Sequence, residues 1–141
     1  MSNIYVLGAG MVGSAMAIDL AKKHHVTISD ISSEVLSRVV EKEPSLKTEI
    51  LDVTDTKDLA SKIKDADLVL SAVPGFLGFE TLKKIILQGK NTVDISFFPE
   101  NALELNQLAL ENNVTAIVDC GVAPGMDNVI LGYYNETHDI D

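Results

Sequence analysis

One stretch near the start constrains this chain more than any other. Residues Ile4–Asp30 read IYVLGAGMVGSAMAIDLAKKHHVTISD, an apolar run, three glycines, an amphipathic segment, a second apolar run and a carboxylate. Ile4–Leu7 suits a strand buried on both faces, as in a parallel sheet. Gly8, Gly10 and Gly13 then form G-x-G-x-x-G, and each glycine has its own physical task. Gly8 permits the tight turn off the strand. Gly10 lets a diphosphate meet the backbone without encountering a Cβ, and Gly13 lets the next helix pack close to the sheet. That helix begins near Gly10, with Val12, Ala15, Met16 and Leu20 expected on its inner face. Its free N–H groups, including those of Met11 and Val12, and its positive dipole end point at the phosphates. Val26–Ser29 is the second strand, and Asp30 at its end stands where such a fold places an acid for the adenosine ribose.

The same local grammar repeats along the chain. Ser32 caps a helix over Val35, Leu36, Val39 and Val40 that must stop before Pro44. Leu46–Leu51 is a third strand. Asp52 and Val53 after it face the adenine, with Asp52 accepting from the exocyclic amino group; alternatively Asp52 only starts the turn before Thr54 caps the next helix. Residues 56–65 form that helix, and Asp67–Val73 a fourth strand. The small residues Ser71, Ala72 and Val73, stopped by Pro74, leave room for ribose and diphosphate to cross the sheet edge. A helix from about Leu77 ends by Gly89. Asn91–Ser96 is the fifth strand, with Val93 and Ile95 alternating against Asp94 and Ser96, and Ser96 joins the cofactor edge. Asn101 and Glu104 make a capping box for a helix burying Leu105, Leu108 and Ala109. Val114–Asp119 is the sixth strand, and residues 126–134 open a last helix.

Six strands alternating with helices over short links specify an α/β, doubly wound parallel sheet with right-handed crossovers. The fingerprint at the first strand–helix turn selects the Rossmann order 3-2-1-4-5-6. At 141 residues the chain is one domain, residues 1–141. A formal charge of -10, from 21 acidic and 11 basic residues without a basic stripe, argues against a nucleic-acid partner. Cys120 is the single cysteine, so no internal disulfide forms and an intracellular setting is expected. The apolar start lacks the basic residues of a signal peptide, and no run reaches the length of a membrane span. A soluble, cytoplasmic protein is the expectation, and a homo-oligomer is compatible with it.

The acid at position 30 suits two ribose hydroxyls and repels a 2′-phosphate. Ile31, Ser32 and Ser33 bring no cation, and the chain's single arginine, Arg38, lies a turn into the following helix. NAD rather than NADP is therefore the expected cofactor. No metal centre is expected: His24 and His25 point to different sides, and His138 belongs to the polar tail. Tyr133 and Tyr134 lack a Lys four positions on, and neither a G-x-S-x-G nor a phosphate-loop motif occurs.

The later text is the most distinctive. VDISFFPE (Val93–Glu100) and VTAIVDCGVAPGMDN (Val114–Asn128), with GAGMVGSAMAIDL and LSAVPG before them, resemble the saccharopine dehydrogenase-like family, especially its lysine 6-dehydrogenase branch. The resemblance implies a nicotinamide-dependent oxidoreductase that interconverts an amine and an imine, with an amino acid or imine as small-molecule partner. It also implies a separate substrate domain after the APG helix, so residues 126–141 are expected to begin a connection to a domain absent here, without which turnover fails. The turn Asp119-Cys120-Gly121, close to the nicotinamide half, and Asp127, facing a cationic amine, are the candidate catalytic residues. Each has a plain alternative: Cys120 as a small packing residue and Asp127 as a first-turn acid complementing a helix dipole. A nucleotide-sensing regulatory module, such as those of potassium channels, shares the glycines and the acid. It has no need of the VDISFFPE and VDCGVAPG segments.

Overall fold

The computed structural model describes residues 1–139. Six strands form one sheet in the order β3-β2-β1-β4-β5-β6, every pairing parallel. The elements run β1 Asn3–Leu7, α1 Met11–Ala21, β2 His25–Asp30, α2 Ser33–Lys42, β3 Lys47–Ile50, α3 Thr56–Ile63, β4 Leu68–Ser71 and α4 Gly75–Leu87. They continue with β5 Thr92–Asp94, a 3-10 turn Ala102–Leu105, α5 Asn106–Glu111, β6 Ala116–Ile117 and α6 Met126–Thr137. The expected fold class and strand order are those observed. The expected 126–141 connection is helical as far as Thr137, and residues 140 and 141 lie outside the described residues.

Two apolar layers sandwich the sheet. Ile4, Val6, Val26, Ile28 and Leu70 face α1 and α2 through Ala17, Leu36 and Val39. Tyr5, Leu7 and Val69 face α3 and α4 through Leu59, Ile63 and Ile85. Each fully buried Leu or Ile contributes about 1.5–3 kcal/mol, so the alternation within β1 alone binds helices to both faces.

Several local expectations need correction. The inner face of α1 is Gly13 and Ala17, not Val12 and Ala15, because the helix presses its smallest residues against the sheet. Helix α3 is capped by Asp55, whose Oδ1 accepts from the N–H groups of Lys57 and Asp58, rather than by Thr54. Helix α4 starts at Gly75, one turn of chain after the strand, with no side-chain cap. Strand β5 turns its polar residues inward: Thr92, Asp94 and Ser96 are buried, whereas Val93 and Ile95 are only half-buried. The cause is α4, which covers the face bearing Asp94 and Ser96.

Candidate functional site

The carboxyl edge of the sheet has its switch point at β1, which pairs with β2 on one side and β4 on the other. Chain connections leave that point in opposite directions and open a crevice, where ligands of such sheets bind. The glycine loop sits there. Gly8 has φ +93°, and a Cβ on it would lie 2.5 Å from the Ala72 carbonyl oxygen. A Cβ on Gly13 would lie 2.1 Å from the Gly8 carbonyl oxygen, so these two positions exclude any side chain. Gly10 is different: nothing lies within 4 Å of the place its Cβ would take, and that space faces outward. Helix α1 has neither a side-chain cap nor an acid in its first turn. The N–H groups of Met11, Val12 and Gly13 are therefore left for an anion. Met11 (93% exposed) and Val12 (56% exposed) stand beside this cradle as apolar lips.

Asp30 is tied to the same loop. One carboxylate oxygen accepts from the Ala9 N–H at 2.8 Å, and the other from the Ser32 N–H at 3.0 Å. The half-buried carboxylate is held beside the glycines with lone pairs to spare, an arrangement able to accept from a sugar diol. On the outer side of the loop an open cleft of about 410 Å³ is lined by Ala9, Gly10, Met11 and Ser14 and by Arg38 and Lys42 of α2. Asp52 is exposed, and its Oδ1 accepts from the Thr54 N–H (2.8 Å) and hydroxyl (2.7 Å). Those bonds hold its carboxyl below the ordinary carboxylate range. Val53 is half-buried against the core, and its carbonyl accepts from Lys84 Nζ at 2.9 Å, which anchors this loop to α4.

Across the switch point the candidate residues present backbone more than side chain. Ala72 backs Gly8 and Gly13, while Val73 is buried in the core and Pro74 is exposed. The hydroxyls of Ser71 and Ser96 are buried beneath α4. Two glycines explain how α4 comes so close: a Cβ on Gly75 would strike the Phe97 carbonyl oxygen and one on Gly78 the Ser96 hydroxyl. Asp119 and Cys120 are exposed on the loop after β6, with Asp119 at φ +57°. The Cys120 N–H donates to the Asp94 carbonyl at 3.4 Å, so this loop lies next to the end of β5. Asp127 closes the turn into α6, its Oδ1 accepting from the Gly125 and Asn128 N–H groups at 2.9 and 2.8 Å.

Sequence reasoning had not singled out Asp94, Gly75 or Gly78. The signals were present: an acid in the middle of an apolar strand, and two glycines three residues apart at the start of a helix. Among the described residues no group of three His, Cys, Asp or Glu side chains is placed to hold a metal. No described helix is long and apolar enough to cross a membrane.

Comparison with known proteins agrees with this geometry. Residues 4–117 match the family described as the saccharopine dehydrogenase NADP binding domain. A saccharopine dehydrogenase [NADP(+), L-glutamate-forming] from Pyricularia oryzae is 28% identical over 134 residues, covering 90% of this chain and 28% of that protein. The structure of apo histidine-tagged saccharopine dehydrogenase (L-Glu forming) from Saccharomyces cerevisiae superposes with a TM-score of 0.78 at 27% identity, over 90% of this chain and 29% of that one. Scyllo-inositol dehydrogenase from Lactobacillus casei, with bound NAD(H), shares the fold at a TM-score of 0.66 and 18% identity. The chain thus spans less than a third of the length of the saccharopine dehydrogenases it matches. With its six-stranded sheet, its glycine cradle and a family match over most of its length, this chain belongs to the saccharopine dehydrogenase NADP-binding domain family.

Proposed function

We propose that this chain is the NAD-binding domain of an oxidoreductase acting on an amine or imine carbon, of the lysine or saccharopine type. The observation that carries the reading is the open cradle at Gly10 with Asp30 fixed beside it. The diphosphate rests on the N–H groups of Met11, Val12 and Gly13, with Gly8 and Gly13 giving the loop its shape. Asp30 accepts from the adenosine ribose hydroxyls, and Asp52 and Val53 border the adenine. The backbone of Ser71, Ala72, Val73 and Pro74, followed by Ser96, borders the nicotinamide half. The bound nucleotide supplies the hydride acceptor or donor; the chain's part is to bind and orient it. Asp119, Cys120 and Asp127 lie on the side where an amino acid or imine substrate would approach. The remaining substrate contacts come from a further domain, and the isolated chain is expected to bind nucleotide without turning over substrate. A soluble, cytoplasmic protein fits the single cysteine.

NAD is favoured over NADP because Asp30 occupies the place a 2′-phosphate would need, and Ile31, Ser32 and Ser33 offer it no cation. A second reading has its own support: Arg38 and Lys42 line the cleft beside Gly10, and the Pyricularia oryzae relative is an NADP(+) enzyme by its name. Calorimetric titration with NAD⁺, NADH, NADP⁺ and NADPH separates the two. Tighter binding of the nucleotides without a 2′-phosphate is expected, tighter binding of those with it moves the assignment to NADP, and no binding of any of the four discards the reading.

A further inference from the structure

The buried end of β5 carries an unusual concentration of polar atoms. Asp94 is fully buried and lies opposite Ser71 in the β4–β5 register. Its Oδ1 accepts from the Ser96 N–H at 2.6 Å and from the Ser96 hydroxyl. Its carbonyl accepts from the Cys120 N–H at 3.4 Å, and the Ser71 carbonyl accepts from the Ile95 N–H at 3.0 Å. Ser96 in turn fills the space that Gly78 leaves on α4. Asp94 and the two residues after it therefore link the end of β4, the end of β5, the first turns of α4 and the loop after β6. Those are the segments that border the nicotinamide half of the site.

Fold stability alone does not explain an acid here. Among the described residues Asp94 Oδ2 and the Ser71 hydroxyl opposite it make no hydrogen bond of ordinary geometry, although the hydroxyl lies near enough to favour the ionised carboxylate. A buried carboxylate oxygen without a partner is costly, and an apolar residue of similar size in its place would be less so. What an apolar residue cannot do is accept both Ser96 hydrogens and so hold the chain at the point where it leaves β5. Resting on the proposed nucleotide binding, we propose that Asp94 is a positioning residue for the nicotinamide end of the cofactor, acting through Ser96 and the Cys120 loop without touching the nucleotide.

The test compares two ligands, NADH and ADP-ribose, which share everything except the nicotinamide. Both are titrated into the wild-type chain and its Asp94→Ala, Asp94→Asn and Ser96→Ala variants, with the fluorescence of bound NADH as a second readout. Asp94→Ala is expected to weaken NADH about tenfold, the scale of one lost buried hydrogen bond, while leaving ADP-ribose within about twofold. Asp94→Asn, which still presents an oxygen to Ser96, is expected to restore both the affinity ratio and the NADH emission. Ser96→Ala conserves the backbone bond and should show the same selective loss in milder form, which decides the matter if Asp94→Ala does not fold. Equal losses for both ligands, no loss for either, or a wild-type chain that binds NADH no tighter than ADP-ribose would overturn the role of Asp94. A wild-type chain that binds neither ligand overturns the nucleotide-binding reading itself.

Discussion

The two halves of the sheet solve the same problem differently. In β1, β2 and β3 the strands are four to six residues long, and their buried polar groups find partners. The Tyr5 hydroxyl donates to Glu49 at 2.9 Å and the Ser29 hydroxyl to the Val6 carbonyl at 3.3 Å. In β4, β5 and β6 the strands shorten to four, three and two residues. Among the described residues Ser71 Oγ, Thr92 Oγ1 and Asp94 Oδ2 are buried there without a hydrogen bond of ordinary geometry, while α6 has no buried residue and exposes Val129, Leu131 and Tyr133. The difference teaches that the β1–β3 half, which holds the glycine loop, is built from backbone geometry over a core whose polar groups are paired. The β4–β6 half carries polar groups inside and apolar groups outside, in the reverse of what stability alone would select.

The contrast can be attacked at its strongest point first. Gly13→Val places a side chain on the Gly8 carbonyl, where even a Cβ would sit at 2.1 Å. Displacing helix or loop should cost about 3 kcal/mol or more and abolish nucleotide binding, read by denaturant unfolding and calorimetry. A folded Gly13→Val chain with normal affinity would break the claim that the cradle is backbone geometry. Next in size is Asp30→Ala, which strands the Ala9 and Ser32 N–H groups and removes the proposed ribose acceptor. A loss of roughly 10- to 100-fold in NAD affinity is expected, together with a lower unfolding midpoint.

A smaller effect sharpens the other half. Burial pushes the Asp94 carboxyl above the ordinary carboxylate range, against the pull of the Ser96 hydrogen bonds and the Ser71 hydroxyl, with the nearby Asp119 adding a little to the rise. The folded chain then keeps this proton where the unfolded chain has lost it. The resulting stability is complete below the unfolded carboxyl's range and is lost as pH rises through the raised value. Asp94→Asn cannot titrate, so its stability relative to wild type should grow between acid and neutral pH, measured by urea unfolding across that window. A difference that stays flat with pH would show that Asp94 ionises as freely folded as unfolded. The smallest effect belongs to α6: Val129→Ser, at a position 72% exposed, should change stability by no more than about 0.5 kcal/mol. A large loss would show that this face is packed in the isolated chain after all.

Much of the first half was legible from residues alone. The turn at Gly8, the close approach at Gly13 and the open space at Gly10 follow from what a Cβ can and cannot occupy, a property of three positions and their spacing. The caps by Ser32 and Asn101 were legible for the same local reason, although Asn101 caps a 3-10 turn and the expected return bond from Glu104 is not among those formed by the described residues. Asp55 was missed as the cap of α3 because Thr54 offers a hydroxyl one position earlier; in the fold, Asp52 takes that hydroxyl and leaves the cap to Asp55. Strand β5 misled in a different way. Its alternation was recognised, but alternation gives two faces without saying which is covered, and α4 covers the polar one.

From its sequence by itself, this protein determined the strand order, the glycine cradle and the acid beside it, because parallel crossovers and backbone sterics depend on short-range pattern. Only the tertiary structure decided that Asp94 is sealed beneath α4 and that Arg38 and Lys42 turn toward the cleft by Gly10. It also decided that Asp30 shares its oxygens between two backbone amides. Those outcomes depend on which elements come to lie against one another, and burial, unlike periodicity, is a property of the whole packed chain.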